Sequence, residues 1–115
     1  MKLLTIIVRP EKLSSVTAAL HTVGISGMTI SDVRGQGIQK GVRTHYRGVE
    51  YQTDFVLKNK IETVVSDDIY EPALEAIIDA ARTGSIGDGK IFVTEIADVI
   101  RIRTGEHGKD ALGQK

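Results

Sequence analysis

The chain opens on a dense apolar run, Leu3 to Val8 (LLTIIV), rich in β-branched residues and closed by Arg9-Pro10, which predicts a buried strand. From Glu11 the period changes. Leu13, Val16, Leu20 and Val23 recur at spacings of three and four, predicting a helix whose apolar stripe faces a sheet and which Gly24 and Gly27 end. Met28 to Val33 then alternates, with Met28, Ile30 and Asp32 on one side and Thr29, Ser31 and Val33 on the other. That is a second strand, polar on one face toward its end. Phe55 to Val65 resumes β character around Ile61, Val64 and Val65. Asp67 and Asp68 are placed to cap a following helix, with Pro72 in its first turn, where a missing N–H costs least. Its core stripe reads Ile69, Ala73, Ile77 and Ala80, flanked by Leu74, Ile78 and Ala81. Ile91–Val93 and Val99–Arg103 follow as extended segments.

The order is strand-helix-strand, a long gap, then strand-helix-strand. With right-handed crossovers, two such units form an antiparallel sheet with both helices on one face, an α+β, ferredoxin-like (βαβ-βαβ) arrangement. The other sheet face is left bare in one subunit, so a homo-oligomer is expected. Length agrees, since 115 residues make one small domain, of a size that buries about two-thirds of its unfolded surface. The balance of 15 basic against 15 acidic residues sets up no global field for nucleic acid or anionic membrane. With no cysteine, disulfides, thiolate metal sites and thiol nucleophiles are excluded. MKLLTIIVRP lacks the form of a signal peptide, and no apolar run is long enough to span a bilayer, so a soluble cytoplasmic protein is expected.

Three stretches carry candidate chemistry. Gly35 to Gln52 (GQGIQKGVRTHYRGVEYQ) is longer than most loops of compact domains and holds Lys40, Arg43, Arg47 and Glu50 with glycines and tyrosines. A tolerated insertion and a mobile recognition arm both fit it, and its composition favours the arm. Thr83 to Phe92 (TGSIGDGKIF) nearly matches a P-loop, but Ile91 stands where a hydroxyl is needed, and the loop joins a helix to a strand, the reverse of that motif. A plain glycine-rich turn fits it. So does an anion nest of N–H groups from Gly84, Gly87 and Gly89, with Lys90 as a point charge. Finally, alternation in IRIRT sends Ile100 and Ile102 to the core and projects Arg101 and Arg103 together, as suits a polyphosphate. Three cations would then gather around one anion. Any Mg²⁺ would be carried by the phosphates, because no carboxylate cluster is apparent. His21, His45 and His107 are scattered, and the first strand lacks the stacking aromatics of an RNA-recognition module.

Together, GISGMTISDVRGQG, QKG, YRGVEY, KNKIETVV, ARTGSIGDGKIFV and IRIRTG make the sequence resemble the PII nitrogen-regulatory signal proteins over nearly its full length. The resemblance implies one PII-like domain over 1–115, with an effector loop at about 36–54, a phosphate loop at about 82–90 and a C-terminal loop at about 102–115. It implies a homotrimer with three inter-subunit clefts that bind ATP or ADP competitively, and 2-oxoglutarate with Mg²⁺ and ATP. Thr29 and Val64 match positions near the adenine, and Gly35, Gly37 and Glu62 match positions lining the nucleotide. Gly87, Asp88, Gly89 and Lys90 would cradle phosphates, with Arg101 and Arg103 reaching in from the adjoining subunit. Gln39 would ligate the phosphate-held Mg²⁺, and Lys58 would pair with a carboxylate of 2-oxoglutarate, beside Lys40, Gly41 and Gly87.

Tyr51 matches a tyrosine that some members uridylylate or adenylylate; an unmodified loop tyrosine fits equally well. Val49 stands where some relatives carry a phosphorylated serine. Glu11 and Gln36 replace frequent phenylalanines, and Ile38 replaces a frequent arginine, which leaves the balance of ATP against ADP open. The expected function is a non-enzymatic sensor of nitrogen, carbon and energy status. Its partners would be an ammonium transporter, glutamine synthetase control enzymes or other metabolic enzymes, with membrane contact only through a transporter. The alternatives are a slow nucleotide phosphohydrolase using the same cleft and a purely structural oligomer.

Overall fold

A computed structural model describes residues 1–36 and 55–114, and the backbone of 43–46 and 49–52. Strands β1 (Lys2–Val8), β2 (Thr29–Gln36), β5 (Phe55–Val65) and β6 (Gly89–Glu95) form one sheet in the order β2-β5-β1-β6, every neighbouring pair antiparallel. Helices α1 (Leu13–Thr22) and α2 (Tyr70–Ala81) cross between them. This is the ferredoxin-like architecture that the βαβ-βαβ order predicts. Each helix spans ten or more residues and its apolar face buries against the same side of the sheet.

The register shows which residues share that side. Leu4, Ile6 and Val8 of β1 lie beside Thr63, Ile61 and Asn59 of β5, all of them buried. Val16 and Leu20 of α1, with Ala73, Ile77 and Ala81 of α2, close the core over them. The α2 stripe thus ends on Ala81, with Ala80 only partly buried and Ile78 exposed. Two buried polar side chains of β5 are satisfied by β2 and the residues leading into it. Thr63 Oγ1 donates to the Gly27 carbonyl at 2.7 Å, and Asn59 Nδ2 donates to Asp32 Oδ1 at 2.7 Å. These bonds tie β2 and its approach to the central strand.

The opposite sheet face carries Leu3, Thr5 and Ile7 of β1, Val56 and Val64 of β5, and Phe92 of β6, with neither α1 nor α2 over it. Phe92 is 54% exposed. A Lys60–Glu62 ion pair at 3.7 Å lies on the same face.

Two expectations need correction. Val99–Arg103 is not a strand: only Ile100 makes a bridge, to His107, and residues 102–104 turn. Ile100 and Ile102 do not enter the core; Ile102 is fully exposed. Asp67 and Asp68 do not cap α2 through their side chains. They sit in a 3-10 turn, where Asp67 Oδ1 accepts from the N-terminal amine at 3.1 Å and Asp68 accepts from Lys109. The amine beside Asp67 holds its carboxyl below the ordinary carboxylate value. The gap between the halves contains a two-stranded ladder, β3 (Arg43–Tyr46) with β4 (Val49–Gln52). A short helix, α3 (Lys109–Leu112), lies in the C-terminal loop.

Candidate functional site

The glycine loop after α2 is organised by one carboxylate. Asp88 Oδ2 accepts from the backbone N–H of Thr83 at 2.8 Å and of Gly84 at 2.9 Å. Its Oδ1 accepts from the Thr83 hydroxyl and, at 3.2 Å, from Arg9 Nε. The Thr83 hydroxyl and amide, then Gly84 and Arg9, hold the Asp88 carboxyl far below the ordinary carboxylate range. Sequence alone suggests a nest in which Gly84 offers its N–H to an external anion. Instead, the chain supplies its own anion there, and the N–H groups left for a ligand belong to the later part of the loop.

The later glycines are there for closeness and for backbone shape. Gly89 has φ +106, and a Cβ there would lie 1.7 Å from the Ile7 carbonyl oxygen of β1. Gly87 has φ +102 and sits against Arg9 and Lys58. Lys58 is 8% exposed and its ammonium donates to the Gly87 carbonyl at 2.5 Å. Burial, then the Arg9 guanidinium, pushes the Lys58 ammonium below its ordinary pKa, with Glu11 and Asp88 opposing. Arg9 Nη2 also donates to the Ile86 carbonyl at 2.9 Å. Arg9 is therefore a central residue of the loop that the sequence pattern does not reveal. Its partner becomes legible only through the β1–β6 register, which sets Val8 opposite Gly89 and so brings Arg9 to Asp88.

Around this loop lies a cleft of about 500 Å³, lined by Ile7, Gly35, Val56, Lys58, Gly87, Asp88, Gly89, Lys90 and Phe92, among others. A second cleft of about 500 Å³ is lined by Thr29, Glu62, Val64, Gly27, Ala111, Leu112 and Gln114, among others. Arg101 belongs to the neighbourhood of the second cleft. Its guanidinium donates to Glu106 at 2.8 Å and to the carbonyl of Ala111 at 3.2 Å. Arg103 is exposed in the turn that follows.

The residues expected to hold one nucleotide are thus divided within a single chain. Gly35 and Gly87–Lys90 come together in one cleft, beside Lys58, the residue expected on 2-oxoglutarate; Thr29, Glu62 and Val64 come together in the other. Across β1, Val64 stands opposite Leu3 on one side, whereas Lys90 stands opposite Ile7 on the other. Lys90 lines the first cleft, whereas Arg101 bonds to residues beside the second. Gly37, Gln39, Lys40 and Gly41 lie outside the described residues, as does Ile38. Tyr51 falls on β4, opposite Thr44. Among the described residues, no group of three or more histidines and carboxylates is placed to hold a metal ion.

The model of the "Nitrogen regulatory protein P-II" family matches residues 1–106. The chain belongs to the P-II family. A P-II 1 protein of Methanothermobacter thermautotrophicus is 54% identical over 112 residues, covering 97% of each chain. P-II proteins of Azospirillum brasilense and Haemophilus influenzae are 54% and 52% identical over 112 residues, covering 97% of this chain and all of theirs. These relatives are named as regulatory proteins, which accords with a P-II signalling role that acts on target proteins. Among the described residues, no helix is long and apolar enough to cross a membrane.

Proposed function

We propose that this P-II chain senses adenine nucleotides and 2-oxoglutarate without being an enzyme, and passes the result to target proteins through residues 36–54. One observation supports the reading: Gly35 and Gly87–Lys90 line one cleft, and Thr29, Glu62 and Val64 line another, so that neither cleft alone holds all the residues expected at the nucleotide. A homotrimer built on the bare sheet face joins them, setting the Gly87–Lys90 loop of one subunit against Thr29, Val64, Arg101 and Arg103 of the next. Backbone N–H groups of the loop and Lys90 meet the phosphates, and the two guanidiniums meet them from the far side. ATP and ADP compete because they share that cradle.

Lys58 has the setting for an acidic effector. Its ammonium has three donors and, among the described residues, one is taken by Gly87, which leaves donors for a carboxylate of 2-oxoglutarate. Partial burial strengthens such a contact by removing competing water. Mg²⁺ would come bound to the ATP phosphates, with Gln39 as the neutral oxygen ligand, which suits a chain without a described carboxylate cluster. Effector binding then reorders the long loop and alters which partner surface it fits, whether on a transporter, a glutamine synthetase control enzyme or another metabolic enzyme.

Calorimetry tests the scheme directly. The protein should bind 2-oxoglutarate with Mg-ATP present and not without it; equal binding in both conditions overturns the coupling. Lys90→Ala and Arg103→Ala should each weaken ATP binding by about 1.5–3 kcal/mol, the cost of a lost charge-assisted contact. Unchanged affinity removes that residue from the site.

A further inference from the structure

The geometry points to the C-terminal segment, and Gln114 above all, as a built-in competitor for the base-side cleft. β2 reaches back only to Thr29, opposite Glu62, so the edge of β5 that β2 covers elsewhere is open beyond that pair. Two backbone groups there, the Val64 carbonyl and the Ser66 N–H, offer an acceptor and a donor two residues apart. The Gln114 carboxamide fills both. Its Nε2 donates to Val64 O at 2.6 Å, and its Oε1 accepts from Ser66 N at 3.0 Å. An amide edge and an adenine edge have the same chemistry, a donating NH₂ beside an accepting atom. Gln114 therefore occupies the strand edge in the way that an incoming adenine would.

The rest of the segment acts on the charged part of the same half-site. The Arg101 guanidinium, assigned above to the phosphates, is held by Glu106 at 2.8 Å and by the Ala111 carbonyl at 3.2 Å. Ala111, Leu112 and Gln114 also wall the cleft that contains Thr29 and Val64. One stretch of chain thus satisfies both the base-reading and the phosphate-reading groups of this half-site. Nucleotide must displace it, and displacement frees the segment to move. The inference rests on the nucleotide reading above, and deepens it by naming what ATP and ADP compete with.

The test measures ATP and inorganic triphosphate binding by calorimetry for the full chain, Gln114→Ala and Glu106→Gln. Gln114→Ala should bind ATP about fivefold more tightly, the effect of not having to break one or two hydrogen bonds, and should leave inorganic triphosphate unchanged. Glu106→Gln should tighten both, because it loosens Arg101. A Gln114→Ala chain that binds ATP no more tightly than a parent that does bind it overturns the competitor and leaves the nucleotide reading standing. If neither chain binds ATP, the nucleotide reading fails and the competitor falls with it. Thermal unfolding of Gln114→Ala close to that of the parent shows that the comparison is made between folded proteins.

Discussion

Two glycines of one loop show how different reasons can stand behind the same residue type. Gly84 has φ +88, and a Cβ there would meet nothing within 4 Å. Gly89 has φ +106, and a Cβ there would overlap the backbone of β1. Gly84→Ala should therefore cost about 1 kcal/mol, the left-handed backbone penalty alone. Gly89→Ala should cost about 3 kcal/mol or more, because β6 must also move away from Ile7. Urea unfolding of the two variants checks the contrast, and equal costs would show that β6 is not held as described. Asp88 adds a pH dependence. Its folded pKa is depressed, so its contribution to stability is fully present above the ordinary carboxylate value and is lost as pH falls through the lower folded value. Asp88→Asn should lower thermal stability at pH 7 and make it less sensitive to acid below pH 4. A variant that keeps the parent's acid profile would show that this carboxylate does not hold the loop.

At the scale of elements, what was legible is what the main sheet and the core decide. The apolar run of β1 and the three-and-four spacing of α1 and α2 appear in the structure because each buries against the others. The same logic gives a magnitude. Ile77 is 1% exposed under α2, so Ile77→Ala should destabilise by about 2–5 kcal/mol, read from the shift in the denaturant midpoint. Ile78, one residue on and 39% exposed, should tolerate alanine with a much smaller loss. IRIRT misled because period-two alternation implies a strand only where a neighbouring strand accepts the ladder, and the main sheet ends at β6. Past Arg101 the chain instead closes on itself, through Gly105 N–H to the Arg101 carbonyl at 2.7 Å, with φ +73 at Gly105. The acidic pair Asp67-Asp68 misled for a related reason. A helix-start signature and a pair of ion-pair partners look alike until the N-terminal amine and Lys109 are placed beside them. Arg9 was invisible because its role depends on strand pairing across 79 residues of chain.

At the scale of the whole molecule, the resemblance named the expected site residues and a cleft shared between subunits, but not that Thr29, Glu62 and Val64 line a different cleft from Gly87–Lys90. That division follows from register, which carries Val64 and Lys90 to opposite sides of β1. It also makes the composite cleft testable without any structure of the assembly. Consider the two variants that each weaken ATP binding, Lys90→Ala lacking the loop cation and Arg103→Ala lacking the opposing guanidinium. If one nucleotide takes Lys90 from one subunit and Arg103 from the next, a mixed trimer contains clefts that combine the intact half of each. Random mixing in equal amounts makes about one cleft in four fully native. Coexpressed chains should therefore recover tight ATP binding at about a quarter of the parent's stoichiometry, although neither variant recovers it alone. Recovery requires the two halves to come from different chains, since a site within one chain remains damaged in every subunit however the chains are mixed. A mixture that binds no better than its components would return the nucleotide to a single subunit and remove the reason for the bare face to be an assembly surface.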